Sequence, residues 1–470
     1  MSKTLVIITS YNRQESLARL VDNLATQDCD IIIFDDHSPK MVNFATTPRI
    51  AQITAPAHRG KAGFWQTYQD IFAYCKEHEY DYYIILPDDV EPCPYFVSRA
   101  IAAYEAAGCI SLSPFVTNRT IAPGISRWGR KPIEDRESCY LTQYFDCCGI
   151  VRRDFFEALD WQLDPIAPQT NPLRSSGVGR QITLRLQALG KPMGHTKRTL
   201  LATTDDPSAM NAEERKRHPM YCDWRNNDSC VDVHIASLWR GGHLVKTAES
   251  LLRQPELATL FVTLNSYTPA QEKETRAALK GLADKYGKKV TIRKAANQKG
   301  SNEKLSQLTK GKARFIAFAD DDILYPSNHL MQLVMGCEIH NAAVSFHGAR
   351  LRRFPIRKYY NGDREVKAWN IAIEADTRVD ILGSGVGLLR REWFTDEELK
   401  ALYVNAPTVS MDDIVLSCAL SQKGISRWVL EHGTGYLQLK DRDPSDNYVY
   451  DRYKDDDSAQ VEYLNANYRK

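Results

Sequence analysis

The chain passes through the same order of motifs twice, and this constrains its fold more than any other feature. Near the start, "TLVIIT" reads as a strand, "RQESLARLVDNLATQ" as a helix and "CDIIIFDD" as a second strand. "GKAGFWQTYQDIFAYCKEH" then has helical spacing, and "YDYYIILPDDV" is a strand again. Strands alternating with helices predict an α/β sheet with parallel strands. From Asp232 the order returns. "VHIASLWRGGHLVKTAESLLRQ" echoes "VIITSYNRQESLARLVDNLATQ", setting Ser237 and Arg240 where Ser10 and Arg13 stand. "LFVTLNSYTP" echoes "IIIFDDHSP", "ANQKGSNEKL" echoes "AHRGKAGFW", and "RFIAFADDDILYP" echoes "YYIILPDDVEPC". Further on, "GVGLLRREWF" echoes "CGIVRRDFF", "SCALSQKGISR" echoes "TLRLQALGKPM", and "RDPSDN" echoes "DDPSAMN". Seven pairs in one order, at similar spacings, imply internal duplication. A period this long predicts two whole domains, not a solenoid. The polar stretch "DWRNNDSCVD" is the expected boundary, giving domains over 1–228 and 229–440 and an irregular C-terminal extension over 441–470.

Composition excludes several classes. With 470 residues, 43% of them hydrophobic, the chain can build more than one core and is not disordered. A net charge of +2, with neither half strongly polarised, weakens a nucleic-acid or anionic-membrane partner. Eleven cysteines show no CxxC pair and no zinc-type spacing, so a disulfide framework is not expected. "MSKTLVIITSYNR" reads as a first strand, not a signal peptide, and no stretch approaches a membrane span. The expectation is a soluble, cytoplasmic protein.

"FIAFADDDILYP" places Asp320, Asp321 and Asp322 at the mouth of a buried strand. Three neighbouring carboxylates repel unless solvent or a cation compensates. A solvated turn is one reading; a hard divalent cation such as Mg²⁺ or Mn²⁺, which prefers carboxylate oxygens, is the other. "SMDDIVLSCAL" sets Asp412 and Asp413 just before an apolar helical run, where they read as a helix cap with an acidic first turn.

Together, "TSYNR", "FDDHS", "RGKAG" and an acidic strand tip resemble nucleotide-sugar glycosyltransferases of the GT-A fold, family 2-like. The second half resembles them through "ADDDILYP" and "SMDDIVLSCALSQKGI". The resemblance covers nearly the whole chain as two tandem GT-A-like domains, Rossmann-like, each with a mixed, mostly parallel sheet. It implies a donor site at the carboxyl ends of the strands, where open α/β sheets bind ligands. It also implies that Asp320 and Asp322 hold Mn²⁺ or Mg²⁺ against a departing nucleoside diphosphate, with Asp321 toward the donor sugar. His432 in "LEHGTG" is the candidate for the family's late histidine ligand. For an inverting reaction, Asp413 is the implied general base and Asp412 its acceptor-side partner. Asn265, Lys304 and Arg240 are donor-pocket candidates in the second half, and Ser10, Tyr11, Arg13, Asp36, Lys61 and Asp88 in the first. A UDP-sugar is the implied donor, and a glycan or other hydroxyl the acceptor.

The copies differ. Pro87 stands where the second copy has Asp320, leaving Asp88 as a donor contact and Asp89 to hold a metal. Val178 and Gly179 stand where it has Asp412 and Asp413. Either the second half is the sole catalyst, which is the reading favoured, or both halves act, or the first is the donor site and "MDDI" only a cap. "RLRRFPIRKYYNGDREVKAW" interleaves seven basic residues with aromatics, which suits an anionic flat partner or else a charged loop over the sheet. As a binding segment it would grip the donor diphosphate, a phosphate-bearing glycan or the hydroxymethylated bases of a viral DNA, the last making the chain a DNA-modifying glycosyltransferase. A nucleotidyltransferase would need a phosphate loop that "TSYNRQE" is not. A non-catalytic carbohydrate-binding scaffold is the remaining alternative.

Overall fold

Leu5 to Ile8 are buried on both sides of the strand Thr4–Ser10, as a central parallel strand between two helical layers requires. Even and odd residues feed different cores. Val6, Ile8, Ile31, Ile33 and Ile84 join the helices Gln14–Ala25 and Phe96–Ala107 on one face. Leu5, Ile7, Ile32, Tyr83 and Ile85 join Gly60–Glu77 and Val178–Ala188 on the other. The structure, a computed structural model, describes residues 3–40, 44, 48–117, 132–142, 144–167, 176–204, 221–227, 230–239, 242–439 and 449–469. The chain divides between Arg225 and Asn226 into two compact units.

The first unit's sheet runs Ile50–Thr54, Asp30–Asp35, Thr4–Ser10, Tyr82–Pro87, Gly149–Val151, Ser111–Ser113, Met193–Thr196, Cys139–Thr142 and Pro132–Asp135. The second runs Lys289–Ala295, Leu257–Asn265, Val231–Leu238, Phe315–Ala319, Val386–Arg390, Ala343–Ser345, Arg427–Val429 and Thr377–Val379. Ranked along the chain, the first eight strands of each sheet stand in one order, 3-2-1-4-7-5-8-6. Their directions agree as well. The first four strands are parallel, and three of the next four joins are antiparallel in both.

In the second unit, Val233, Ile235, Val262 and Ala317 face Leu244, Leu279 and Leu333, while Ile316, Phe318 and Leu389 face Leu305 and the helix Asp412–Gln422. Truncating one such buried side chain, for example Ile316→Ala, costs roughly 2–5 kcal/mol. The tail expected to be irregular is helical at Val449–Tyr453 and Ser458–Asn467. Leu464 and Tyr468 are buried in the second unit's core, an apolar pairing too sparse to register as periodicity. Among the described residues no helix is long and apolar enough to cross a membrane.

Candidate active site at the strand tips

In each sheet the order reverses between the first strand and the fourth, which opens a crevice beyond their carboxyl ends. The register brings a serine and an aspartate together there. Thr9 pairs with Pro87, so Ser10 meets Asp88, and its Oγ donates to Asp88 Oδ2 at 2.8 Å. Ile235 pairs with Ala319, so Ser237 meets Asp321, and its Oγ donates to Asp321 Oδ2 at 2.6 Å. Asp321, expected to face the donor sugar, is therefore buried and turned back onto the first strand. Ser237 also lies 2.8 Å from the Tyr267 hydroxyl.

Lys304 joins the carboxylates at the second unit's strand tips. It is 4% exposed; its Nζ is 2.5 Å from Asp320 Oδ1, 3.2 Å from Asp412 Oδ2 and 3.4 Å from the Ser384 carbonyl. Burial works against its charge, but Asp320 and Asp412 outweigh it and raise its pKa. Burial likewise opposes ionisation of Asp412. Lys304 and hydrogen bonds from Ser301 and Ser384 overcome it, holding the carboxyl below its ordinary range. The Ser384 hydroxyl donates to Asp412 Oδ2 at 2.5 Å. Gly385 makes room for the cluster: a Cβ there would run into the Asp320 carboxylate.

Asp413 behaves differently from its neighbour. It is half-buried, and its pKa is pushed up to about 6 by burial and by the charge of Asp412, with Arg364 and Tyr359 opposing. The Tyr359 hydroxyl donates to Asp413 Oδ2 at 3.1 Å, while Oδ1 accepts the Ile414 amide at 2.9 Å. The Arg364 guanidinium lies 4.3 Å from the centre of the Tyr359 ring, and Asp457 accepts the Tyr359 and Tyr360 amides at 2.7 Å each. Both aspartates occupy the first turn of their helix, but the capping position is Met411, which makes no side-chain cap. Two adjacent carboxyls with pKa values driven apart are chemically able to divide acid and base roles.

The remaining candidates are placed unevenly. Asn265 Nδ2 donates to the Gly300 carbonyl at 3.3 Å, and its buried Oδ1 has no hydrogen-bond partner among the described residues. A cleft of ≈ 430 Å³ opens beside it, lined by Ser266, Tyr267, Thr268, Lys294, Ala295 and Ala296. His432 does not fit the role of metal ligand. It is fully buried, with Nδ1 2.7 Å from the Leu430 carbonyl and Nε2 3.3 Å from that of Ala368. Arg240 lies outside the described residues. No three His, Cys, Asp or Glu side chains converge into a ready metal cage among the described residues. Asp320, whose side chain is 44% exposed, and the buried Asp322 offer oxygen ligands suited to a hard ion that completes its shell with phosphates.

The first unit's tip is closed by a protein cation. Arg13 Nη1 lies 2.8 Å from Asp88 Oδ1 and 3.1 Å from Asp89 Oδ2, so Asp89, expected to bind metal, has a protein counter-charge, as Asp320 has in Lys304. Burial still lifts Asp88 above the ordinary carboxylate range. Asp36, expected at the donor, accepts the Arg59 and Gly60 amides at 2.8 and 2.7 Å and so holds the start of the helix Gly60–Glu77. Lys61 lies in that helix's first turn, and the Tyr11 ring stacks on His58 with centroids 3.9 Å apart. The base position is shut: Val178 is fully buried, and a Cβ on Gly179 would come 2.5 Å from the Phe145 carbonyl.

Residues 5–159, within the first unit, match the family model described as Glycosyl transferase family 2. No curated protein matches the chain. Among solved structures, residues 1–349 of TarS from S. aureus with UDP-GlcNAc share 14% identity, covering 44% of this chain and 60% of that one, with a TM-score of 0.32. The mannosyltransferase PcManGT from Pyrobaculum calidifontis with GDP-Man and Mn²⁺ shares 16%, covering 44% and 56%, with a TM-score of 0.30. The chain thus spans less than two thirds of either neighbour, and likenesses this distant leave the chemistry to its own residues. The family 2 match and the Asp413 cluster fall in different units.

Sequence reasoning missed Ser384, which lies 28 residues from Asp412, and did not connect Tyr359 to Asp413. It also missed the His195–Asp146 pair of the first unit, 3.3 Å apart. The aromatics of "RLRRFPIRKYYNGDREVKAW" are not a stacking platform: Tyr359 is buried, and Phe354 and Trp369 pack against the cores.

Proposed function

We propose that the chain is a glycosyltransferase of two tandem GT-A-like units that arose by duplication, with catalysis in the second. It moves a sugar from a nucleotide-sugar, a UDP-sugar by resemblance, to a hydroxyl acceptor with inversion. The observation that carries this reading is Asp413, half-buried, hydrogen-bonded by Tyr359 and raised to about 6 beside the ionised Asp412.

In the proposed reaction, Asp413 accepts the acceptor's hydroxyl proton as that oxygen forms its bond to the anomeric carbon. The bond from that carbon to the diphosphate breaks, and the nucleoside diphosphate leaves with the electron pair. A base with a pKa near the working pH is the most effective kind. Lys304, pinned between Asp320 and Asp412, keeps Asp412 ionised, which in turn keeps Asp413 basic. Asn265 and the cleft beside it are the proposed seat of the nucleotide's base and ribose. Mn²⁺ or Mg²⁺ held by Asp320 and Asp322 would neutralise charge on the diphosphate.

Calorimetric titration with a panel of nucleotide-sugars, with and without Mn²⁺, tests the reading. One Mn²⁺-dependent site per chain, lost in Asp322→Asn and kept in Asp89→Asn, is the expected result. No binding to any member would overturn it. One observation favours a second reading, in which the first unit takes the donor: the family 2 match lies there. Binding lost in Asp89→Asn and kept in Asp322→Asn would select it.

A further inference from the structure

At the far end of the helix Asp412–Gln422 lies a cleft of ≈ 560 Å³ lined by Arg350, Arg378, Arg427 and Arg469, with Asp380 as its carboxylate. Arg427 is the anomaly. It is 7% exposed, and Nη1 and Nη2 donate to the Ile425 carbonyl at 2.9 Å and the Tyr468 hydroxyl at 3.0 Å. Its Nε has no partner, and among the described residues no carboxylate forms an ion pair with it. Asp380 reaches Arg427 only through the Tyr468 hydroxyl, which it accepts at 2.7 Å, and its other oxygen accepts the Leu351 amide at 2.7 Å. Buried charges are ordinarily paired, because leaving one unpaired is strongly unfavourable.

The fold does not require this charge. Arg427 pairs with Ala343 in the second sheet as Met193 pairs with Ser111 in the first, and Met193 is equally buried. One sheet fills the slot with a thioether and the other with a guanidinium. Three further arginines gather at the same cleft: Arg350 and Arg378 are exposed, with Arg350 Nε donating to the Arg378 carbonyl at 2.7 Å, and Arg469 is exposed beside them. The excess of cations over the single, already bonded Asp380 calls for an anion.

We propose that this cleft binds a phosphoryl group, with Arg427 as its buried anchor and Arg378 and Arg350 closing on it from the rim. The planar fork of arginine suits phosphate oxygens, and the volume accommodates a phosphoryl group with a small moiety attached. The site is separate from the strand-tip crevice: with a rise of 1.5 Å per residue, Asp413 and the cleft end of its helix are about 15 Å apart. The proposal does not depend on the glycosyltransferase reading.

The test is calorimetric titration of the full chain with inorganic phosphate and, separately, tripolyphosphate. Phosphate is expected to bind once per chain. Arg427→Met, the residue the other sheet uses, should weaken it at least tenfold, and Arg378→Gln several-fold. Lys304→Met, in the crevice, should leave it unchanged. Should Arg427→Met fail to fold, the exposed pair Arg350→Gln and Arg378→Gln carries the same test. Tripolyphosphate binding more tightly than phosphate would identify a phosphoryl group on a longer anion; equal affinity, a single group. Absence of phosphate binding, affinity unchanged in the arginine variants, or loss in Lys304→Met alone would overturn the proposal.

Discussion

The two strand tips share a scaffold and differ in what they do with charge. In both, a serine ending the first strand bonds an aspartate beyond the fourth, at 2.8 Å in the first unit and 2.6 Å in the second. Around that common bond the first unit closes on itself, with Arg13 bridging Asp88 and Asp89 and with Val178 and Gly179 leaving no place for a carboxylate. The second replaces Pro87 with Asp320, matches it with a glycine at 385, and adds Asp412 and Asp413 on the helix Asp412–Gln422. The Ser–Asp bond therefore belongs to the architecture. Chemistry is to be sought in what one unit has and the other lacks.

The largest effect should come from removing the difference itself. Asp413→Asn keeps the shape and the Tyr359 contact but cannot accept a proton. Turnover is expected to fall by about 10² to 10⁴, the usual contribution of a general base, with donor affinity little changed. Steady-state kinetics with separate kcat and KM values would show it. A loss confined to KM, or below threefold in kcat, would make Asp413 a structural carboxylate and reopen the first unit as the catalyst.

The pH profile sharpens the same point. A base works only when ionised, and burial with the Asp412 charge raises Asp413 to about 6. Below that pH, kcat/KM should fall about tenfold per unit, because each unit protonates tenfold more of the base. An acid limb near 4 instead would place the working carboxylate in a more solvated site.

Gly385→Ala is expected to rank next. Its new Cβ would strike the Asp320 carboxylate and displace it from Lys304. Donor binding should weaken by roughly ten- to a hundredfold, the range seen when a group that orients a metal-binding carboxylate is lost. Cys147→Ala, at the matching place in the first unit, should have no such effect. Equal responses to the two substitutions would dissolve the contrast between the tips.

Much of this contrast was readable in the chain. The α/β class and the parallel leading strands follow from the alternation of apolar runs and helices, whereas the strand order does not, and Ser10 and Ser237 could be matched because short motifs on central strands have little freedom to drift. Asp413 was readable as a carboxylate opening an apolar helix. The orientation of Asp321 was not, because three identical residues in a row give no indication of which one the register turns inward. His432 was misread because a histidine's surroundings depend on the carbonyls it meets, here those of Leu430 and Ala368. Ser384 and Lys304 reach Asp412 across loops, and sequence carries no measure of such closures. The helix Ser458–Asn467 has too few apolar residues to stand out, yet the adjoining Asp457 fixes the backbone of Tyr359 and Tyr360.

The smallest effect should come from opening the closed tip. Arg13→Met removes the cation between Asp88 and Asp89 while keeping most of the stem's packing. With the second unit as catalyst, turnover should stay within about threefold of the parent, since removing a group remote from the reacting atoms leaves the barrier unchanged. Stability is where the change should register. Burial already raises Asp88, and a carboxyl whose folded pKa is raised contributes stability at low pH that is lost as pH rises through that value. Removing Arg13 takes away the charge that limits this loss. The drop in Tm should therefore be greatest near pH 7 and shrink toward pH 4, as thermal unfolding across that range would reveal. A tenfold fall in turnover with Tm unmoved would reverse the comparison. The Arg13 clamp would then belong to a working donor site, and the carboxylates of the second unit would serve the scaffold.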